Sequence, residues 1–379
     1  MQPYQKVNQY PGIQCISRKN NLARNLVKIK KAFHDKFQFF PRTWILPLEA
    51  SEFRNNFIDK YGRTVLRRKT FIVKPDNLAQ GKGIFLSRNF DKIIEHTTQC
   101  GGGWVVQDYL SNPHLIEGLK YDLRLYVFLY GLNPLRIFIH EQGLARFATE
   151  PYEKPRNSNL DNMYVHLTNY AINKLNRNFK QSNKKKARDE DDYGDYGDYG
   201  DEYDDEDEEE TGHKRSLFAI MKIIYQQGGD PDKIWEEIKD IVVKTIIVGQ
   251  PYMDHMYRVC QPECIDNSMC FQILGFDIMI DKNFRPWLIE VNQSPSFSTD
   301  SPLDYEVKKN VLRDALQMLD MSQERRENYI RIRNEQNQER MMTGKTFKMT
   351  PQEREKLRHD RIQARMDFER IKLNGSGYE

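Results

Sequence analysis

The stretch that most constrains the fold is a pair of apolar runs, Ile273-Leu274-Gly275-Phe276-Asp277-Ile278-Met279-Ile280 and Arg285-Pro286-Trp287-Leu288-Ile289-Glu290-Val291-Asn292, separated only by Asp281 to Phe284. Two such runs across a short polar turn predict an antiparallel hairpin. A four-residue turn would set Ile280 opposite Arg285. Because side chains alternate along a strand, Asp277, Glu290 and Asn292 would then share one face. Oxygen-bearing side chains in apolar strands are costly to bury without partners, and a cation offsets that cost. Two carboxylates and an amide are hard ligands suited to Mg²⁺, whose shell water and substrate phosphates complete. Taken alone, the pattern also describes a half-exposed hairpin with solvated acids.

A second element changes the balance. Phe71-Ile72-Val73-Lys74-Pro75 reads as a strand ending at a lysine, followed by the loop Asp76-Asn77-Leu78-Ala79-Gln80-Gly81-Lys82-Gly83-Ile84. Glycines at 81 and 83 let the backbone fold back closely, so that its N–H groups and Lys82 can cover a polyphosphate. A lone Gly-x-Gly is usually an ordinary turn. Joined to Lys74 and the acidic hairpin, it points to a nucleotide.

These motifs, with Gln107-Asp108-Tyr109-Leu110, Lys120-Tyr121-Asp122-Leu123-Arg124, Glu141 through Thr149, His166-Leu167-Thr168-Asn169-Tyr170-Ala171-Ile172-Asn173-Lys174 and Leu288 through Asp300, follow one another in an order that resembles the tubulin tyrosine ligase-like amino-acid ligases. The resemblance covers roughly residues 4 to 318, and its wording is most similar to the tubulin polyglutamylases. It implies an α+β fold: an ATP-grasp-like core of mixed and antiparallel sheets flanked by helices, with a C-terminal charged helical extension. It divides the chain into 1-69, a remnant of an N-terminal lobe whose first strand and helix are expected to be missing; 70-165, a central ATP-binding lobe; 166-319, a C-terminal lobe with the metal hairpin and a disordered acidic insert at 177-213; and 320-379, the extension.

What the resemblance implies for single residues is specific. Lys74 and Lys120 would neutralise ATP phosphates, with Gln80 and Gly81 closing over them. Gln107, Asp108, Tyr109 and Leu110 would meet adenine, Tyr121 and Asp122 would contact the nucleotide, and Thr168 and Asn169 would approach from the other wall. Asp277, Glu290 and Asn292 would hold Mg²⁺, and Arg124 would reach the γ-phosphate side, where a planar fork suits charge spread over several oxygens. Catalysis would rest on Arg124, Lys74 and Glu290. Arg146, with Tyr170 and Lys174, would select glutamate. Outside these roles, Asp122 and Arg124 would form a strand-face ion pair, and His166 reads as a satisfied core histidine. Gln293 stands where chain-elongating polyglutamylases often carry histidine, which leaves branch initiation and elongation both open. The implied activity is ATP-dependent addition of glutamate to glutamate side chains of tubulin tails through an acyl phosphate. A glycine ligase of the same family and a non-catalytic microtubule-binding protein are the alternatives.

Charge fits an acidic partner. The net charge is +3, yet residues 189 to 210 hold fifteen acids and no base, leaving 58 bases against 40 acids elsewhere. Nucleic acid is an equal reading of basicity alone, but no helix-turn-helix, zinc-finger or RNA-stacking motif is present, so no nucleic acid is expected. Tubulin tails and free glutamate are the implied partners of an expected monomer. Five cysteines, no signal peptide and no long apolar run imply a reducing, cytoplasmic setting without a membrane. The resemblance adds the cytoskeleton, at a cilium axoneme or basal body. Cys260, Cys264 and Cys270 lack a fourth ligand at zinc spacing and read as thiols.

Local patterns predict helices over Asn20 to Phe33, Leu217 to Gln226, Pro231 to Val248 and Leu303 to about Leu319, and strands at Thr70–Lys74, Ile84–Ser87, Trp104–Tyr109, Leu123–Leu129 and Leu135–His140. The segment Asp189 to Glu210, with its Tyr-Gly-Asp repeats, reads either as a solvated loop or as a tethered mimic of an acidic tail. Met321 to Lys372 carries fourteen bases and nine acids and is too apolar-poor to form its own core. It reads either as two solvated helices or as a basic outrigger presenting Arg354, Lys356, Arg358, Arg361 and Arg365 to an acidic filament.

Overall fold

The computed structural model describes residues 4–58, 69–181, 211–262, 264, 268–319, 321–343 and 350–379. The acidic segment 189–210, and the readings attached to it, lie outside the described residues. In chain order the elements are β1 (Val7–Asn8), α1 (Gln14–Ser17), α2 (Lys19–Ala32), β2 (Thr43–Leu46), α3 (Ala50–Arg54), β3 (Phe71–Pro75), β4 (Phe85–Ser87), α4 (Phe90–Gln99), β5 (Trp104–Asp108), β6 (Leu115–Ile116), β7 (Leu119–Leu132) and β8 (Leu135–Phe147). They continue with α5 (Met163–His166), α6 (Tyr170–Asn173), β9 (Lys214–Ser216), α7 (Leu217–Gln226), α8 (Pro231–Cys260), β10 (Cys270–Ile280), β11 (Pro286–Asn292), α9 (Pro302–Met318), α10 (Gln323–Thr343) and α11 (Pro351–Leu373).

The strands form two sheets. One has four antiparallel strands in the order β2-β5-β3-β4 around an aromatic core of Trp44, Phe53, Phe57, Phe71 and Trp104. The other has seven, in the order β1-β10-β7-β8-β9, with β11 on β10 and β6 on β7; β1 alone pairs in parallel. This is an α+β architecture of mixed and antiparallel sheets flanked by helices, as an ATP-grasp-like core requires. The segments 1-69, 70-165 and 166-319 share these sheets: β2 joins strands after residue 70, while β7 and β8 pair with the hairpin β10–β11.

Alternation on β7 explains the layering. Tyr121, Leu123, Leu125, Val127 and Leu129 face a core built with Ile220, Ile238, Val242 and Ile246 of α7 and α8. Tyr126, Phe128 and Tyr130 face the opposite way, onto Leu303, Val307 and Val311 of α9. Lys120, Asp122 and Arg124 continue that second face beyond the end of α9. One end of the face is thus a core, and the other a charged wall.

Two elements depart from the sequence reading. Helix α8 runs through Gly249 and Pro251 to Cys260, twelve residues beyond the expected end at Val248. Proline removes one helix bond, whose acceptor carbonyl would belong to half-exposed Ile247. Buried Met253 and Tyr257 hold the second half in place, and Gly249 sits where any Cβ would press on Ile16 and Cys15 of α1.

The extension departs too. Helix α11 borrows the existing core rather than remaining wholly solvated. Arg365 donates to the Tyr130 carbonyl at 2.5 Å and stacks on that ring at 4.0 Å, and Arg136 pairs with buried Glu369 at 2.7 Å. Beyond the helix, Gly377 and Glu379 bond the backbone of Glu141 and Ile139 on β8, and Tyr378 enters the core beneath α9. Arg365 is therefore a structural cation, whereas Arg354, Lys356 and Arg361 remain exposed and Arg358 is half-buried. Arg365→Glu should weaken this docking by about 2–4 kcal/mol, while Arg361→Glu should cost less than about 0.5 kcal/mol. Limited proteolysis measures the difference as release of residues 350–379. Equal release from both variants would contradict the docking.

Candidate active site

The hairpin β10–β11 supplies the first part of the site, through a register that differs from expectation. Ile280 pairs with Pro286 rather than Arg285, which by itself would turn Glu290 away from Asp277. A β-bulge corrects this: Ile278 pairs with Leu288, Asp277 pairs with Glu290, and Ile289 is the extra residue. The proof lies in the core, where Leu288 and Val291 both face α8 although they are three residues apart. Asp277, Glu290 and Asn292 therefore do share a face.

Across the other edge of β10, Asp277 pairs with Arg124 of β7, and Asp122 of β7 pairs with Arg146 of β8. Directly opposed residues lie on one face, so a row of charge crosses four strands. Arg124 Nε reaches Asp277 Oδ1 at 2.5 Å and its Nη2 reaches Oδ2 at 3.1 Å. Arg146 grips Asp122 at 2.8 and 2.6 Å and also reaches Asp277 Oδ2 at 2.8 Å. The alternative reading, an ion pair between Asp122 and Arg124 themselves, is not what forms: each pairs across strands, Arg124 with Asp277 and Asp122 with Arg146. Arg146 acts as a brace between the carboxylates of Asp122 and Asp277, and its Nη1 makes no hydrogen bond among the described residues.

The net shifts of the Asp277 and Glu290 carboxyl groups run in opposite directions. Burial pushes the Asp277 carboxyl up, but Arg124 and Arg146 outweigh it and hold Asp277 well below the usual carboxylate range. Glu290 has no such partner; burial and the adjacent Asp277 charge raise it. Two carboxylates converging on one spot, one of them raised by the other, form a donor set that a hard divalent cation fits. The Asn292 amide nitrogen lies 3.5 Å from Asp277 Oδ2 and 3.3 Å from Glu290 Oε1, and a half-turn of the amide presents its oxygen there instead.

Beside this row a cleft lies between the two sheets, with about 630 Å³ of atom-free space when its opening to solvent is included. Lys74, Gln107, Asp108, Tyr109, Leu110, Lys120, Asp122, Thr168 and Asn169 line it together with Asp277 and Glu290. Apolar Ile72, Ile84, Met279 and Ile289 complete a slot suited to a flat ring. Burial lowers Lys74 to about 8 and Lys120 to about 7. Lys120 donates to Tyr109 Oη and the His166 carbonyl, whereas the Lys74 ammonium has no hydrogen-bond partner among the described residues. A buried cation without an acceptor fits an anionic ligand, so the residues present suit a nucleotide polyphosphate. Gln80 and Gly81, at φ values of 61° and 80°, wall an adjoining recess with Asn169, Glu290 and Asn292. A Cβ on Gly81 would collide with Ile172.

One residue expected at the nucleotide sits elsewhere. Tyr121 points away from the cleft, bonding His114 Nδ1 at 2.8 Å within the α7–α8 core, because it alternates with Lys120 and Asp122. Tyr170 and Lys174, expected beside Arg146 rather than in this cleft, approach it through Lys214, the cross-strand partner of Arg146: Tyr170 carries the ammonium groups of Lys214 at 3.9 Å and Lys174 at 5.5 Å over its ring. One residue was missed: Lys19, at the start of α2, donates to the Leu78 carbonyl at 2.7 Å and lines the recess with Glu290. Nothing local distinguishes it from the other bases of a basic helix.

Comparison with known proteins follows this geometry. The sequence profile of the Tubulin-tyrosine ligase family matches residues 1–193 and 197–329. A Tetrahymena thermophila protein named "Probable beta-tubulin polyglutamylase" is 44% identical over 375 residues, covering 99% of this chain and 29% of that protein. Tubulin polyglutamylase TTLL6 of Mus musculus is 41% identical over 321 residues, 85% of this chain and 34% of its own. Tubulin polyglutamylase TTLL13 of Homo sapiens is 42% identical over 323 residues, 85% of this chain and 35% of its own. The chain spans about a third of the length of these relatives. Its matched residues include the whole charge row and the cleft, and the chain belongs to the tubulin-tyrosine ligase family.

Proposed function

We propose that the chain is an ATP-dependent ligase that joins glutamate to glutamate side chains in the acidic C-terminal tails of tubulin. The observation that carries this reading is the convergence of Asp277, Glu290 and two buried lysines on one cleft, with Arg124 paired to Asp277 beside it. Relatives named tubulin polyglutamylases supply the substrate class. In this reading Asp277, Glu290 and Asn292 hold Mg²⁺, Lys74 and Lys120 neutralise ATP phosphates, and Gln107 to Leu110 receive adenine. When bound, ATP would supply the phosphoryl group that turns one oxygen of the acceptor carboxylate into a leaving group, which departs as phosphate when the amine attacks the acyl carbon.

The protein's own share is positioning and charge neutralisation. Arg124, fixed by Asp277, faces the phosphate end. Arg146, braced by two carboxylates, keeps Nη1 for the side-chain carboxylate of the incoming glutamate, a contact that glycine cannot make. The exposed cations of α11 suit an acidic filament, with the cytoskeleton, and the cilium in particular, as the setting. Arg146 is the feature that favours glutamate over glycine.

Arg146→Lys retains a charge for Asp122 and Asp277 but loses the fork. It should raise the KM for glutamate at least about tenfold while changing the KM for ATP less than about threefold. Equal rises would make Arg146 a brace only, and preferred incorporation of glycine by the unaltered chain would replace the glutamate assignment. Glu290→Gln should lower ligation at least about a hundredfold with the fold intact; near-normal activity would sink the metal assignment.

ATP affinity should also depend on pH with a defined sign. The protonated lysines bind phosphate, and their ionisation is lowered to about 8 and about 7 by burial, so affinity should fall as pH rises from about 6 to about 9. Calorimetry should record proton uptake on binding within that window. A flat profile would contradict the lysine roles.

A further inference from the structure

The inner wall of the cleft contains a chain of contacts that none of these roles uses. Lys120 Nζ donates to Tyr109 Oη at 2.9 Å and to the His166 carbonyl at 2.8 Å. Tyr109 Oη lies 3.1 Å from His166 Nδ1, and His166 Nε2 lies 3.0 Å from the Asn159 carbonyl. A carbonyl only accepts, so Nε2 carries the ring proton and Nδ1 is the acceptor. The Tyr109 hydroxyl must then donate to Nδ1, which turns its lone pairs toward Lys120. Burial and the Lys120 charge lower His166 to about 4, so the ring stays neutral near pH 7 and this order does not reverse.

We propose that His166 is a positioning residue for the nucleotide phosphates, acting through Tyr109 to fix the Lys120 ammonium on the cleft wall. The inference rests on the ATP reading above. An ammonium has three N–H groups, and Tyr109 and the His166 carbonyl take two, which leaves one for a ligand. Lys74, by contrast, is left for the ligand itself to hold. Without the His166 acceptor, the Tyr109 proton is no longer directed away from Lys120, and two donors compete at one point.

The groups facing this chain are few. Lys74 of β3 and Asp122 of β7 act on Lys120, while Tyr152 and Glu153 face Tyr109 and His166. The rings of Tyr109 and Tyr152 meet His166 edge-on at centroid distances of 5.5 and 6.2 Å, so the imidazole has no room to turn freely.

Calorimetric titration of the full chain with Mg²⁺–ATP between about pH 6 and about pH 9 tests the proposal. His166→Phe should weaken binding roughly tenfold and move the fall in affinity to lower pH, since Lys120 then holds its proton less well. His166→Gln, whose amide can accept from Tyr109 and donate to Asn159, should restore most of both. Tyr109→Phe should reproduce the loss, and the double variant Tyr109→Phe/His166→Phe should lose no more than either alone. If His166→Phe does not fold, the Tyr109→Phe profile and its independence from His166→Gln decide the matter. Additive losses, or a pH profile that none of these variants moves, would overturn the positioning role while leaving the nucleotide site standing. Failure of the unaltered chain to bind ATP would instead overturn the site reading, and the inference with it.

Discussion

The carboxylate of Asp277 is the contact on which the site depends. It is nearly fully buried in the middle of the seven-stranded sheet, held by Arg124 on its own row and by Arg146 from the next strand, with Glu290 directly opposite. A buried charge of this kind survives only when its partners are fixed, and removing one partner typically costs about 3–5 kcal/mol. Here the partners are fixed by β-sheet register. The ladder that places Arg124, Asp277 and Glu290 side by side also gives each strand its opposite, apolar face against α7 and α8, so the charge row and the core are specified by the same pairings.

That coupling explains the division of labour around the cleft. The acids lie on the seven-stranded sheet, while Lys74 lies on the four-stranded one, and the space between is where their charges meet. The two lysines reach this point differently. Lys120 is oriented by protein acceptors, whereas Lys74 is buried with none among the described residues, so only the first is pre-organised.

Much of this was legible in the sequence because it is local. The apolar hairpin with its three polar interruptions, the lysine at the end of β3 and the start of α8, where the Asp230 side chain accepts from the Lys233 backbone N–H across Pro231, each carry their meaning within a few residues. The resemblance sets Tyr121 at the nucleotide beside Asp122, although alternation with Lys120 and Asp122 forbids all three from facing one cleft, and it lies in the opposite core. Other features depend on distant partners. The bulge at Ile289 exists because Leu288 and Val291 must both reach α8, and no turn rule foretells it. Arg124 and Asp122 look like natural partners two residues apart, until β10 and β8 bring each a closer one. Helix α8 outruns its proline because α1 packs on Gly249, and α11 docks because β8 leaves an edge at residues 137 to 141 for residues 377 to 379 to pair with.

The central claim is that Asp277, Glu290 and Asn292 form one divalent-cation site facing the nucleotide cleft. Its most direct test is anomalous diffraction from crystals of the chain grown with Mn²⁺ and a non-hydrolysable ATP analogue. A manganese peak is expected within bonding distance of these three side chains and of the phosphates, with Lys74 and Lys120 on the phosphate oxygens. Nucleotide bound in the cleft with manganese elsewhere, or with Asp277 still holding only its two arginines, would contradict it.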